Sequence, residues 1–179
     1  MKLLRTIRLD ASDTFVFERA AEPGEWAVSG AFAFWGGDPT ALEGKARTAF
    51  RSGFLGVNSL GRSTLVQIVE AGETARTELI GALATQLIKH FGAPDLAAAK
   101  AAAEDEVTFV ESLCSQPQGT LVAVHRSPED GNVREAFRTL RPREGAKLTR
   151  AFSFFDVEGE DASPVEEVDL MGLAMRESK

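Results

Sequence analysis

The sequence has only one cysteine, no tyrosine and two histidines among its 179 residues. A single thiol, Cys114, cannot close a disulfide within the chain, which excludes the disulfide-stabilised secreted folds. The soft metal ligands His90, Cys114 and His125 are too few and too widely spaced for a zinc site, which normally has four ligands. We therefore expect no disulfide, no bound metal and no other cofactor.

Long hydrophobic runs are also missing. No stretch approaches the roughly 20 consecutive apolar residues that cross a bilayer. The N-terminus from Met1 to Arg8 is basic but has no apolar core of the kind that a signal peptide needs. We expect a cytoplasmic protein without a membrane partner.

Basic residues are outnumbered by acidic ones, so the net charge is −7 at pH 7. Nucleic-acid binding depends on neutralising phosphates, so this balance argues against it. The charge is unevenly spread, however. From Arg134 to Arg150 there are six basic and two acidic residues, whereas from Asp156 to Lys179 there are eight acidic and two basic residues.

The hydrophobic pattern predicts an α+β fold with a mainly antiparallel sheet packed against about three helices. Helices are expected from Asp38-Pro39, from Thr74 and from about Asp95, the last two packing as an antiparallel pair. Strands are expected over 2–9, 14–17, 26–35, 64–69, 120–126, 133–140 and 151–157. The second and third should form one hairpin, and the two strands around Pro128–Gly131 another.

The same pattern predicts one domain over residues 1–157. Residues 158–179 are acidic and nearly free of aromatic side chains, which is typical of a flexible tail.

The stretch Gly56-Val57-Asn58-Ser59-Leu60-Gly61-Arg62-Ser63 is similar in outline to a nucleotide-binding loop. Such a loop must follow a strand and open a helix, because the first N–H groups of the helix hold the phosphate. Here a predicted helix precedes the loop and a strand follows it. We therefore interpret it as a glycine-rich connection.

Candidates for catalysis are few. Cys114 could be activated as a nucleophile only if the fold brings it to His125, and a buried, inert thiol is the simpler interpretation. The run Glu104-Asp105-Glu106 lies on a helix, where successive side chains point in different directions, so it indicates a solvated surface rather than a catalytic pair.

The basic segment is the most informative feature. Arg134 and Arg138 should share one face of a strand, because side chains alternate with a period of two, and Arg141 and Arg143 follow around Pro142. Arginine binds carboxylates and phosphates through two donors at once, so these four residues predict a site for an acidic protein or an anionic ligand. The alternative is that the chain's own acidic tail, or neighbouring carboxylates, neutralise them.

Four segments carry a resemblance to a known family, namely 1–10, 17–26, 53–57 and 91–96. With them the chain resembles a family of uncharacterised bacterial proteins, a domain of unknown function. The resemblance covers nearly the whole chain and brings no established activity or catalytic residue. It implies an accessory role, because genes of the family lie near those for molybdenum-dependent formate dehydrogenase and its maturation factors.

Together these observations favour a non-catalytic accessory or binding protein over an enzyme. It would hold a partner through the arginines, with Trp26 and Trp35 contributing if they are exposed. One alternative is a small enzyme with a pocket near His125 and Cys114. Another is a homodimer that uses its sheet edges or helix pair and has no ligand.

Overall fold

A computed structural model describes residues 1–129, 132–142 and 155–158 of the chain, with only the backbone described at 141–142 and 155–158. The described residues form an α+β fold, as expected. Their strands join in one antiparallel sheet with the order β4-β3-β2-β1-β5-β6-β7-β8. The strands are β1 (Lys2–Ile7), β2 (Trp26–Val28), β3 (Phe54–Gly56), β4 (Arg62–Ser63), β5 (Leu65–Glu70), β6 (Leu121–Glu129), β7 (Asn132–Pro142) and β8 (Phe155–Glu158).

The α-helices of the described chain are α1 (Ser12–Val16), α2 (Gly44–Ser52), α3 (Glu73–His90) and α4 (Leu96–Leu113). The last two are the predicted antiparallel pair and pack closely together. The Asp95 side chain accepts a hydrogen bond from the Ala98 N–H at 2.8 Å and so begins α4 where the sequence indicated. Helix α3 begins just before Thr74, at Glu73.

The core lies between the helix pair and one face of the sheet. Leu4, Ile68, Val122 and Val124 are buried there with apolar side chains of α3 and α4. Strand β5 lies between β1 and β6 in the middle of the sheet.

The sheet is strongly curled. Strands in a flat sheet lie about 4.8 Å apart, so β3 and β7, with four strands between them, would be separated by about 24 Å. Instead, the rings of Phe54 on β3 and Phe137 on β7 have centroids only 6.1 Å apart. The ring of Phe109 on α4 also lies against Phe137, at 5.6 Å. The curl therefore brings residues together that are distant in strand order.

The strand predicted at Thr14–Phe17 is wrong, and so is its hairpin. These residues lie mainly in α1, because side chains close local hydrogen bonds that favour a helical turn. The Ser12 N–H donates to Asp10 Oδ1 at 2.8 Å, and Thr14 Oγ1 donates to the Ala11 carbonyl at 2.6 Å.

The predicted strand Trp26–Trp35 is also too long. Strand β2 ends at Val28, and Gly30 has a left-handed backbone with φ of 71° that starts a 3₁₀ turn at Ala31–Phe34. A side chain at Gly30 would not fit, since a Cβ there would lie 2.5 Å from Leu55 Cβ.

The helix predicted from Asp38-Pro39 is split in two. The Asp38 carboxylate accepts a hydrogen bond from the Thr40 N–H at 2.9 Å, but it begins only a 3₁₀ turn at Pro39–Ala41. Helix α2 starts later, at Gly44. The hairpin of β6 and β7 is confirmed, while the tip of its turn and the tail after Glu158 lie outside the described residues.

Candidate functional site

Arg134 and Arg138 lie on β7 with their side chains exposed on the same face, as the sequence predicted. In the ladder with β6, Arg134 is opposite Ser127 and Arg138 is opposite Ala123. The Arg141 backbone pairs with Asp156 of β8. Arg143 lies outside the described residues.

Two further basic residues belong to the same surface. His125 is exposed on β6 opposite Ala136, which places it between the positions of Arg134 and Arg138. Partial burial lowers the pKa of His125, and the nearby charges of Arg51 and Arg138 lower it further. Arg51 is exposed near the end of α2, which packs against β6. We call Arg51, His125, Arg134 and Arg138 the basic face.

Little negative charge balances the basic face among the described side chains. Arg134 lies 3.6 Å from a carboxylate oxygen of Glu129, but both side chains are more than half exposed, so this ion pair is weak. No described carboxylate pairs with Arg51 or Arg138. Beside His125 is an open hollow of about 340 Å³, whose walls include Thr40, Arg47 and Arg51.

Arg126, next to His125, has the opposite environment. Its side chain is 1% exposed, and all five of its N–H donors are used. Nε donates to Glu135 Oε1 at 2.7 Å, and Nη1 donates to the carbonyls of Phe50 and Gly53, both at 3.0 Å. Nη2 donates to the carbonyl and hydroxyl oxygens of Ser29. No donor of Arg126 is left for a ligand. Its hydrogen bonds instead join β6 to the end of β2 and the start of β3, beneath the basic face.

Two partly buried side chains, Glu106 and Arg62, extend this network. Glu106 of α4 accepts a hydrogen bond from the Gly30 N–H at 2.9 Å. Burial raises the pKa of Glu106, and nearby Glu135 raises it further, against the opposing effect of the Gly30 N–H. Burial lowers the pKa of Arg62 to about 9, helped by the charge of Arg126. The Ser29 hydroxyl donates to the Glu135 carboxylate, so Ser29, Arg126 and Glu135 are all hydrogen-bonded to one another.

The glycine-rich stretch forms the turn between β3 and β4. Its N–H groups are already occupied, because the Glu25 carboxylate accepts hydrogen bonds from the backbones of Asn58 and Ser59 at 2.8 and 2.9 Å. A Cβ at Gly56 would lie 2.3 Å from Glu25 Oε1. The turn is therefore held by an internal carboxylate in the place where a phosphate would have to bind.

Cys114 and His125 are not brought together. Val122 and Val124 on β6 point into the core that contains Cys114, whereas His125 points to the opposite, exposed face. Burial raises the pKa of the Cys114 thiol to about 11, so the thiolate needed for nucleophilic attack is scarce near neutral pH.

The described part of the chain also bears on the metal and membrane expectations. It contains no group of three or more His, Cys, Asp or Glu side chains placed to hold a metal ion. None of its helices combines the length and the apolar character that crossing a membrane requires.

The two tryptophans differ in environment. Trp26 is half-buried, with the Arg5 guanidinium 3.7 Å from its ring centroid. Trp35 is 77% exposed. Only Trp35 is therefore fully available for a contact.

Comparison with known proteins adds a family but no activity. Residues 1–157 match the model described as Family of unknown function (DUF6505). No curated protein and no solved structure matches the chain.

Proposed function

Since the chain belongs to the family of unknown function DUF6505, which brings no activity to transfer, we propose a function from its surface: it is a non-catalytic binding protein that recognises an acidic protein partner through the basic face. The observation that carries the proposal is the exposure of Arg51, His125, Arg134 and Arg138 on adjoining elements.

An ion pair and hydrogen bonds beneath the basic face hold its strands in position. Buried Arg126 and partly exposed Glu135 form an ion pair beneath it, so the strands that present Arg134 and Arg138 are fixed relative to α2. The backbone from which these arginines extend is therefore held in place, and each arginine can bind a carboxylate through two donors. An exposed cluster of arginines on such a support suits a partner surface rich in Asp and Glu.

The family resemblance suggests where to look for the partner. It implies an accessory role near molybdenum-dependent formate dehydrogenase and its maturation factors, so acidic surfaces of those proteins are the first to test. The arginines at 141 and 143 would extend the contact.

The test replaces Arg134 and Arg138 by alanine together and measures binding of a fluorescent poly-L-glutamate peptide. Exposed charges contribute typically under 1 kcal/mol to folding, so the melting temperature should stay within a few degrees. Desolvated arginine contacts contribute about 2 kcal/mol or more to binding, so affinity should fall at least tenfold. Affinity of the unchanged protein should also fall as salt screens the charges.

The matched control replaces Lys89 and Lys100 by alanine. Both are exposed on the helix pair, so this variant has the same net charge without touching the basic face. Equal binding by the two double variants would contradict the proposal. Tighter binding of inorganic pyrophosphate than of the peptide, lost in the arginine variant, would show that the ligand is a small anion instead.

Truncation after Glu158 tests the alternative that the tail neutralises the arginines. In that case removal of the acidic residues should strengthen binding to poly-L-glutamate. If the basic face is already free for a partner, truncation should change affinity less than twofold.

A further inference from the structure

A second concave surface lies away from the basic face, between the 3₁₀ turn at Ala31–Phe34 and the helix pair. It is a groove of about 730 Å³, which is within the range of about 300–1,000 Å³ typical of small-molecule sites. Phe32 and Trp35 form one wall, and the link from α3 to α4, including Phe91, forms another. We call it the aromatic groove.

The groove exists because α4 presents short side chains to it. Ala98, Ala102 and Asp105 follow one another at helical spacing along the lining. Phe32 and Phe91 meet edge to face with ring centroids 5.1 Å apart, which closes one side. Trp35 is left 77% exposed at the rim, where an apolar ligand would cover it.

The charges that line the groove are mostly negative. Asp105 is exposed on α4, and the neighbouring Glu106 is half-buried and oriented by the Gly30 N–H. Among the described side chains that line the groove, His90 is the only basic one. Aromatic faces attract cations through their quadrupoles, and nearby carboxylates add direct charge attraction. The lining therefore complements a positively charged group attached to an apolar body.

We propose that the aromatic groove binds a small organic cation, namely an amine or ammonium group carried on an apolar or aromatic body. The apolar body lies against Phe32, Trp35 and Phe91, and the cationic group faces Asp105 and Glu106. This site involves none of the residues of the basic face.

Binding of 3-phenylpropylamine and of 3-phenylpropan-1-ol tests the proposal, because the two probes share an apolar body and differ in charge. The chain has two tryptophans and no tyrosine, so in a Trp26→Phe variant Trp35 is the only source of tryptophan fluorescence. Titration of that variant should show a saturable change from Trp35. Calorimetry on the unchanged protein should give an affinity for the amine at least tenfold above that for the alcohol.

Matched variants on α4 identify the carboxylates involved. Asp105→Asn and Glu106→Gln should each weaken amine binding at least threefold and leave alcohol binding unchanged. Glu104→Gln removes an adjacent exposed charge that does not line the groove, so it should bind both probes like the unchanged protein. Trp35→Ala should weaken both probes.

Amine affinity should rise as the pH increases through the acidic range, because burial raises the pKa of Glu106 and its carboxylate therefore ionises at a higher pH than an exposed one. The rise should be smaller in Glu106→Gln. Equal affinity for amine and alcohol, or equal amine binding by Asp105→Asn and Glu104→Gln, would overturn the proposal. So would binding of an oligolysine peptide at the groove without any binding of the amine.

Discussion

Arg126 is a buried cation whose five donors are all satisfied inside the protein. Removing it would leave the carbonyls of Ser29, Phe50 and Gly53 without these hydrogen bonds and would leave Glu135 without its ion-pair partner. Breaking a buried pair from one side costs about 3–5 kcal/mol, because the remaining groups stay desolvated.

We therefore expect Arg126→Met to lower the free energy of unfolding by about 3–5 kcal/mol in urea denaturation. Arg126→Lys should cause a smaller loss of stability than Arg126→Met, since lysine keeps the charge but not the planar fork of donors. Arg134→Met, at the exposed position opposite Ser127, is the control and should change stability by less than about 1 kcal/mol. Equal midpoints for Arg126→Met and the control would show that the network does not stabilise the fold.

At the scale of single residues, the burial of Arg126 can be predicted from the sequence, but the groups that bind it cannot. Strand alternation puts Arg126 on the same face as Val122 and Val124, which indicates burial. Its carbonyl partners, however, lie 73 to 97 residues earlier in the chain, and no local pattern connects them. The exposed pair Arg134 and Arg138 could be predicted because it depends only on the alternation within one strand.

Among the elements, the long helices and the β6–β7 hairpin could be predicted, whereas the short pieces could not. Helix α4 has its cap in Asp95 and its apolar stripe in consecutive turns, so local information is sufficient. The segment 12–16 depends for its stability on contacts with distant residues, among them the hydrogen bond from Thr64 Oγ1 to Asp13 at 2.6 Å. Such a contact crosses 51 residues and overrides the strand preference of Thr14–Phe17.

Two glycines in different elements should respond oppositely to alanine. A Cβ at Gly61, beside β4, would lie 2.4 Å from the Ala20 carbonyl oxygen, so the backbone must move. A Cβ at Gly81 meets nothing within 4 Å on the exposed face of α3. Gly61→Ala should therefore cost about 1–3 kcal/mol, and Gly81→Ala should stabilise by up to about 1 kcal/mol.

Thermal and urea denaturation of the two variants measure this difference directly. Since the replacement is the same in both, the effect of the added methyl group on the unfolded chain is matched. Stabilisation by Gly61→Ala would show that the close approach of 19–21 to β4 is absent in solution.

For the molecule as a whole, the curl of the sheet makes one continuous core out of strands that are distant in order. Ring contacts join β3, β7 and α4 through Phe54, Phe137 and Phe109. Strands β1 and β5 lie in the middle of the sheet and carry buried side chains. The centre of the sheet should consequently open only when the entire domain unfolds, whereas the 3₁₀ turn at Ala31–Phe34 should open locally.

Native-state hydrogen exchange can verify this distribution. Amides of Leu4 and Ile68 should exchange at rates set by global unfolding, and their protection should fall with the global stability of Arg126→Met. Amides of Ala33 and Trp35, bonded only within the 3₁₀ turn, should exchange orders of magnitude faster and respond little to that variant. Comparable protection at both places would mean that the turn is part of the same cooperative unit.

The segment 19–21 has a consequence for aggregation. Exposed sheet edges are templates on which strands of other molecules can add. At the β4 edge, the Arg62 N–H donates to the Arg19 carbonyl and the Ala21 N–H donates to the Arg62 carbonyl, both at 2.8 Å. Since β4 is two residues long and these groups are already paired, this edge offers no register for intermolecular strand addition, and fibril growth from it would first require 19–21 to detach.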